Sequence, residues 1–132
     1  MTDDQKIALV TRFCNAWGQH DIDAIFDMLA ADCFYHNMPV APLVGHDEIR
    51  PVLTGFFAMA QSIHFEVCAM GVATNGIVLT ERVDHFLIND QALALPVMGA
   101  FEIVDGKIAL WRDYYDQKTL DTLLTSALPA QA

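Results

Sequence analysis

Four long β-like segments, 63–73, 77–89, 91–104 and 107–116, fill the second half of the chain, and the breaks between them are short. Asn75-Gly76, Asn89-Asp90 and Asp105-Gly106 occupy those breaks. They are the small polar residues that tight hairpins need. The segments therefore form an antiparallel meander. A sheet of this kind buries one face, and the upstream chain supplies the cover. Residues 4–17 space Ile7, Val10, Phe13, Cys14 and Trp17 on one helical stripe that Gly18 ends. Ile22, Ile25, Phe26 and Leu29 make the face of a second, short helix. A β-like stretch runs over 32–38, Pro39, Pro42 and Gly45 mark a loop, and a third helix spans 46–61 with Pro51 near its first turn. A last helix covers about 118–126. Helices first and strands after give an α+β fold, helices packed on a curved sheet. No GxSxG or GxGxxG pattern is present, which argues against an α/β-hydrolase or dinucleotide-binding architecture.

The chain has 132 residues, 54% of them hydrophobic, which suits one domain with one core. No apolar run reaches the ~18 residues of a membrane span. The start, MTDDQKIALV, carries aspartates where a secretory signal carries lysines. The expectation is a soluble, cytoplasmic protein. A net charge of −10 speaks against nucleic acid or an anionic membrane as partner, because both require a basic patch. Cys14, Cys33 and Cys68 have no metal-site spacing and are expected to be small buried residues in a reducing compartment. The five histidines show neither HxH nor HExxH, and no metal is expected.

Three short patterns carry chemistry. Side chains alternate along a strand, so Val78, Thr80, Arg82, Asp84, Phe86 and Ile88 share one face, and Leu79, Glu81, Val83, His85 and Leu87 the other. Alternation alone does not say which face is inside. On the last strand Trp111, Asp113 and Tyr115 share a face, opposite Arg112 and Tyr114. On the early strand Cys33, Tyr35 and Asn37 share a face, and Tyr35 and Asn37 are uncharged groups able to hold a water. One arginine with two aspartates sums to −1, and a single shared proton brings a dry cavity to neutrality. One aspartate is then an acid and the other a base. Phe86 and Ile88 continue the Arg82–Asp84 face, and Trp111 and Tyr115 flank Asp113. Met28, Leu29, Phe56, Met59 and Met70 are further candidates for an apolar, adaptable pocket wall.

With those residues in place, the chain resembles the limonene-1,2-epoxide hydrolases, a family within the cone-shaped domains like nuclear transport factor 2 and the polyketide cyclases. The matching segments are Tyr35-His-Asn-Met-Pro39, Glu81-Arg-Val-Asp84, Pro96-Val-Met-Gly99 with Phe101-Glu102, and Arg112-Asp-Tyr-Tyr-Asp116. The resemblance implies a cofactor-free hydrolase acting on a small apolar epoxide and water. It implies Asp113 as general base, Tyr35 and Asn37 as holders of the water, Asp84 as general acid and Arg82 as the link between the carboxylates. An isomerase or cyclase on the same cone, or a non-catalytic binder of an apolar ligand, stays open. A homodimer on the face carrying Leu79, Val83 and Leu87 is a further expectation.

Overall fold

The computed structural model describes residues 1–128. Helix α1 (Asp3–Gly18) starts in a capping box in which Thr2 Oγ1 accepts from the Gln5 amide and the Gln5 side chain accepts from the Thr2 amide. Helix α2 (Ile22–Met28) is capped by Asp21, which accepts from the Ala24 amide. Then come β1 (Leu29–Asn37), β2 (Leu43–Val44), α3 (His46–Met59), β3 (Ser62–Val72), β4 (Val78–Ile88), β5 (Gln91–Val104), β6 (Lys107–Tyr114) and α4 (Gln117–Ala127).

All strands lie in one six-stranded sheet of order β2-β1-β6-β5-β4-β3. The meander β3–β6 is antiparallel throughout, as its hairpin breaks imply. Asn89 and Asp90 both adopt positive φ, at 50° and 62°, as do Asp105 and Gly106, at 50° and 76°. That is the backbone a tight two-residue hairpin needs. Register shifts interrupt β1, β3 and β5 and bend the sheet into a concave surface.

The inner face is covered by α1, whose Leu9, Val10, Phe13, Cys14, Ala16 and Trp17 are buried. Phe13 sits edge-on to Trp111 at 4.9 Å and to Phe101 at 5.6 Å, joining the helix to the middle of the sheet. α4 lies against β5, and Asn89 Nδ2 donates to the Ala127 carbonyl at 3.0 Å.

β1 pairs with β6 in parallel, so the sheet is the mixed form of the expected curved sheet, and several local details differ from expectation. The chain reaches that edge from the helices, not through a hairpin. Leu29 ends α2 and opens β1. The Pro39–Gly45 loop contains a short edge strand, with Leu43 opposite Tyr35. Pro51 falls in the second turn of α3, where the Asp47 carbonyl loses its usual helical donor. Cys14 and Cys33 are buried, but Cys68 is exposed. No helix of the described residues is long and apolar enough to cross a membrane.

Candidate active site

Register builds the site. Thr80 on β4 lies opposite Gly99 on β5, Gly99 opposite Asp113 on β6, and Asp113 beside Asn37 on β1. One row of the sheet thus carries a hydroxyl, a bare backbone, a carboxylate and an amide. A neighbouring row, Val78, Phe101, Trp111 and Tyr35, is apolar and aromatic, and Tyr35 stacks on Trp111 at 4.0 Å. Of the two faces of β4, the one with Thr80, Arg82 and Asp84 is inside, and all three are buried.

Arg82 is the centre. Its side chain has no exposed surface, and those of Asp84 and Asp113 have 6% and 8%. Nε donates to Asp84 Oδ1 at 3.0 Å and Nη2 to Asp84 Oδ2 at 2.9 Å, a bidentate pair within one strand. Nη2 also donates to Asp113 Oδ2 at 3.1 Å, and Nη1 donates to Asp113 Oδ1 at 3.2 Å and to Thr80 Oγ1 at 3.3 Å. The guanidinium therefore joins two carboxylates that lie two strands apart. Its flat face rests 4.8 Å from the Phe65 ring centre, which excludes water while the edges stay hydrogen-bonded.

The bridge lies at the wall of a cavity of about 450 Å³. Tyr35, Asn37, Asp84 and Asp113 are polar groups in its lining, and Leu95, Val97, Phe86 and Ile88 are among its apolar ones. Leu43 of β2 and Leu120 and Leu124 of α4 close its outer part.

Electrostatics separates the two states of Asp84. Burial raises its carboxyl to about 6, with Arg82 opposing that rise and Asp113 adding to it. Burial alone would weaken the Arg82 cation, but Asp113 and Asp84 outweigh it and the guanidinium holds its proton more tightly than usual. Burial and Asp113 also raise the phenols of Tyr35 and Tyr115, and Asn37 and Arg82 oppose the shift at Tyr35. The Cys14 thiol of α1 is pushed up to about 12 by burial, so it stays neutral beside the bridge.

The structure brings Asp84, Asp113, Tyr35 and Asn37 into the lining of one cavity, with Arg82 behind it bonded to both carboxylates, and Phe86, Trp111, Tyr115, Phe56 and Met59 also line it. Met28, Leu29 and Met70 do not. Leu29 is buried in the core, and Met28 and Met70 pack against that core away from the cavity. A register shift between Val67 and Ala69 turns Met70 to the inner face, opposite Thr80, where its sulfur lies against Thr11 of α1 and not in the cavity. Sequence reasoning missed the β5 wall of Leu93, Leu95 and Val97, although its period of two ends at Gly99. It also missed Trp17, Thr80 and the α4 leucines.

By architecture the molecule is one of the helix-covered cones. A candidate polyketide cyclase from Xanthomonas campestris pv. campestris superposes with a TM-score of 0.83 at 20% identity, over 92% of this chain and 98% of that one. A protein with a ketosteroid isomerase-like fold from Catenulispora acidiphila gives 0.77 at 23%, over 92% and 93%. Likenesses at that identity show the fold alone. Residues 4–125 match the limonene-1,2-epoxide hydrolase catalytic domain, and the chain belongs to that family. Epoxide hydrolase EphG of Mycobacterium tuberculosis (strain ATCC 25618 / H37Rv) is 35% identical over 108 residues, 81% of this chain and 70% of that protein. The solved structure of an M. tuberculosis LEH-like epoxide hydrolase matches at 31% identity and a TM-score of 0.75, over 95% of this chain and 92% of that one.

Proposed function

We propose that this protein is a cofactor-free epoxide hydrolase that adds water to an apolar, terpenoid or alicyclic epoxide and releases a vicinal trans diol. The observation that carries this reading is the Arg82 bridge between two buried carboxylates that both face an apolar cavity. Opening an epoxide with water needs a base on one side and an acid on the other at the same moment.

Asp113 takes a proton from water as the water oxygen bonds to an oxirane carbon. The C–O bond of that carbon breaks, and its electron pair stays on the ring oxygen. Asp84 protonates that oxygen. Tyr35 and Asn37, beside Asp113 on the same face, orient the water. Arg82 stays charged throughout and lets the proton deficit move from Asp113 to Asp84 without leaving a naked charge. Asp84 suits the acid because burial keeps it partly protonated near pH 6. The carboxylates act on protons only, so no ester to the enzyme forms.

A single turnover of 1,2-epoxycyclohexane or limonene oxide in ¹⁸O-water tests this. Label in the diol from the first turnover is the expected result. Label only from a second turnover identifies a covalent ester and overturns the mechanism. No diol from a panel of epoxides overturns the hydrolase reading and leaves a binder of apolar ligands. We also propose that the protein works in the cytoplasm as a homodimer built on the outer sheet face.

A further inference from the structure

A guanidinium has five N–H donors. In Arg82 four of them are taken by the two carboxylates: one from Nε and one from Nη2 by Asp84, one from Nη2 and one from Nη1 by Asp113. The fifth, on Nη1, is taken by Thr80 Oγ1, whose residue has no exposed surface. Without it that N–H would sit unpaired in the interior, and the guanidinium would gain by rotating toward another acceptor.

Gly99 lies between Thr80 and Asp113 in the same sheet row. A Cβ built on it would stand 2.5 Å from Arg82 Nη1, 2.7 Å from Thr80 Oγ1 and 3.0 Å from Asp113 Oδ1. The missing side chain is therefore the passage by which Arg82 crosses β5 to reach β6. Gly99 is in extended backbone with no positive φ, so its conformation does not call for glycine. The space above it does.

We propose that Thr80 and Gly99 are positioning residues of this site: Thr80 fixes the rotation of the guanidinium, and Gly99 keeps open the space that lets Arg82 hold both carboxylates at once. The inference rests on the hydrolase reading for its kinetic arm only. The titratable groups facing the guanidinium are Asp84 on β4, Asp113 on β6, Tyr35 on β1 and Cys14 on α1.

The test compares Thr80→Val, which keeps the shape and removes the hydroxyl, with Thr80→Ser, which keeps the hydroxyl, and with Gly99→Ala. Each is assayed for kcat and KM against pH, and the Asp84 carboxyl is titrated by ¹³C NMR. Thr80→Val should lose roughly 10- to 100-fold in kcat with KM within about twofold. Its Asp84 midpoint should move upward, because a guanidinium drawn toward Asp113 supports the Asp84 carboxylate less. Thr80→Ser should recover most of both effects. Gly99→Ala should lose at least as much kcat as Thr80→Val and should also melt below the wild type, since its Cβ would displace a buried, fully paired guanidinium and press on the buried Thr80 hydroxyl. Wild-type kcat and an unmoved Asp84 midpoint in Thr80→Val overturn the proposal, as does a Thr80→Ser variant as impaired as Thr80→Val. If the wild type itself opens no epoxide, the hydrolase reading fails, and the NMR titrations of the three variants still decide the positioning role.

Discussion

Arg82 has no exposed side-chain surface, yet its charge is offset by two carboxylates and its donors are all matched. Removing one member of such a group costs far more than the group contributes as a whole, because the remainder is left buried and uncompensated. Arg82→Leu should therefore lose about 3–5 kcal/mol at pH 7. The loss should shrink in acid, where the abandoned carboxylates take up protons; urea melts at two pH values measure both. Asp113→Asn and Asp84→Asn leave a neutral pair instead, so the fold should survive while kcat falls by about 10² to 10⁴. Near-full activity in Asp113→Asn would remove it as the base. Asp84 also sets a pH dependence. Its pKa is raised in the fold, from 3.8 to about 6, so the native state binds that proton more tightly than the unfolded chain. The stability this contributes is complete below about pH 4 and is lost as the pH rises through 6. The stability of the wild type relative to Asp84→Asn should fall over that interval. The kcat/KM of the wild type should fall in the same direction, as the acid is lost, and a rate rising steadily through pH 6–8 would contradict the assignment.

At the scale of elements, the hairpins made the strands legible. Asn89-Asp90 and Asp105-Gly106 adopt the left-handed backbone that their residue types allow, and β4, β5 and β6 begin within a residue of where the pattern places them. Alternation also grouped Arg82 with Asp84, and Trp111 with Asp113 and Tyr115. The apolar pocket candidates fared less well: Met70 is on the inner face opposite Thr80 but lies under α1, and Leu29, placed on a helical stripe, opens β1 in the core, because a helical stripe and a strand start look alike over a few residues. Helix α4 was visible as a helix but not as part of the pocket. Leu120 and Leu124 come to the cavity only because α4 folds back over β5, with Asn89 holding the Ala127 carbonyl. Leu124→Ala should raise KM for a small alicyclic epoxide about five- to tenfold and leave kcat within about twofold, since it removes about 1–1.5 kcal/mol of apolar contact far from the bridge. Steady-state kinetics with 1,2-epoxycyclohexane checks it.

The molecule as a whole presents an outer sheet face with an apolar surface. Leu79 is 43% exposed, Met98 48% and Tyr114 45%, and the register sets Glu81, Met98 and Tyr114 in one row beside the row of Leu79, Ala100 and Arg112. The proposed homodimer uses this face, opposite the one that lines the cavity. Light scattering after size exclusion should give twice the single-chain mass at micromolar concentration, and Met98→Glu should halve it without abolishing turnover. A single-chain mass for the wild type would sink the dimer.

The sequence by itself determined the α+β order, the antiparallel meander, the periodic faces and the residue types able to do acid–base chemistry. These depend on neighbours a few positions apart, on hairpin backbone preferences and on the two-residue repeat of a strand. Only the tertiary structure decided which face of β4 is buried, that β1 enters beside β6 in parallel, and that Asp113 lies within reach of Arg82 across an intervening strand. Those outcomes depend on register and on the space above Gly99. Both follow from packing between segments far apart in the chain, which no local pattern encodes.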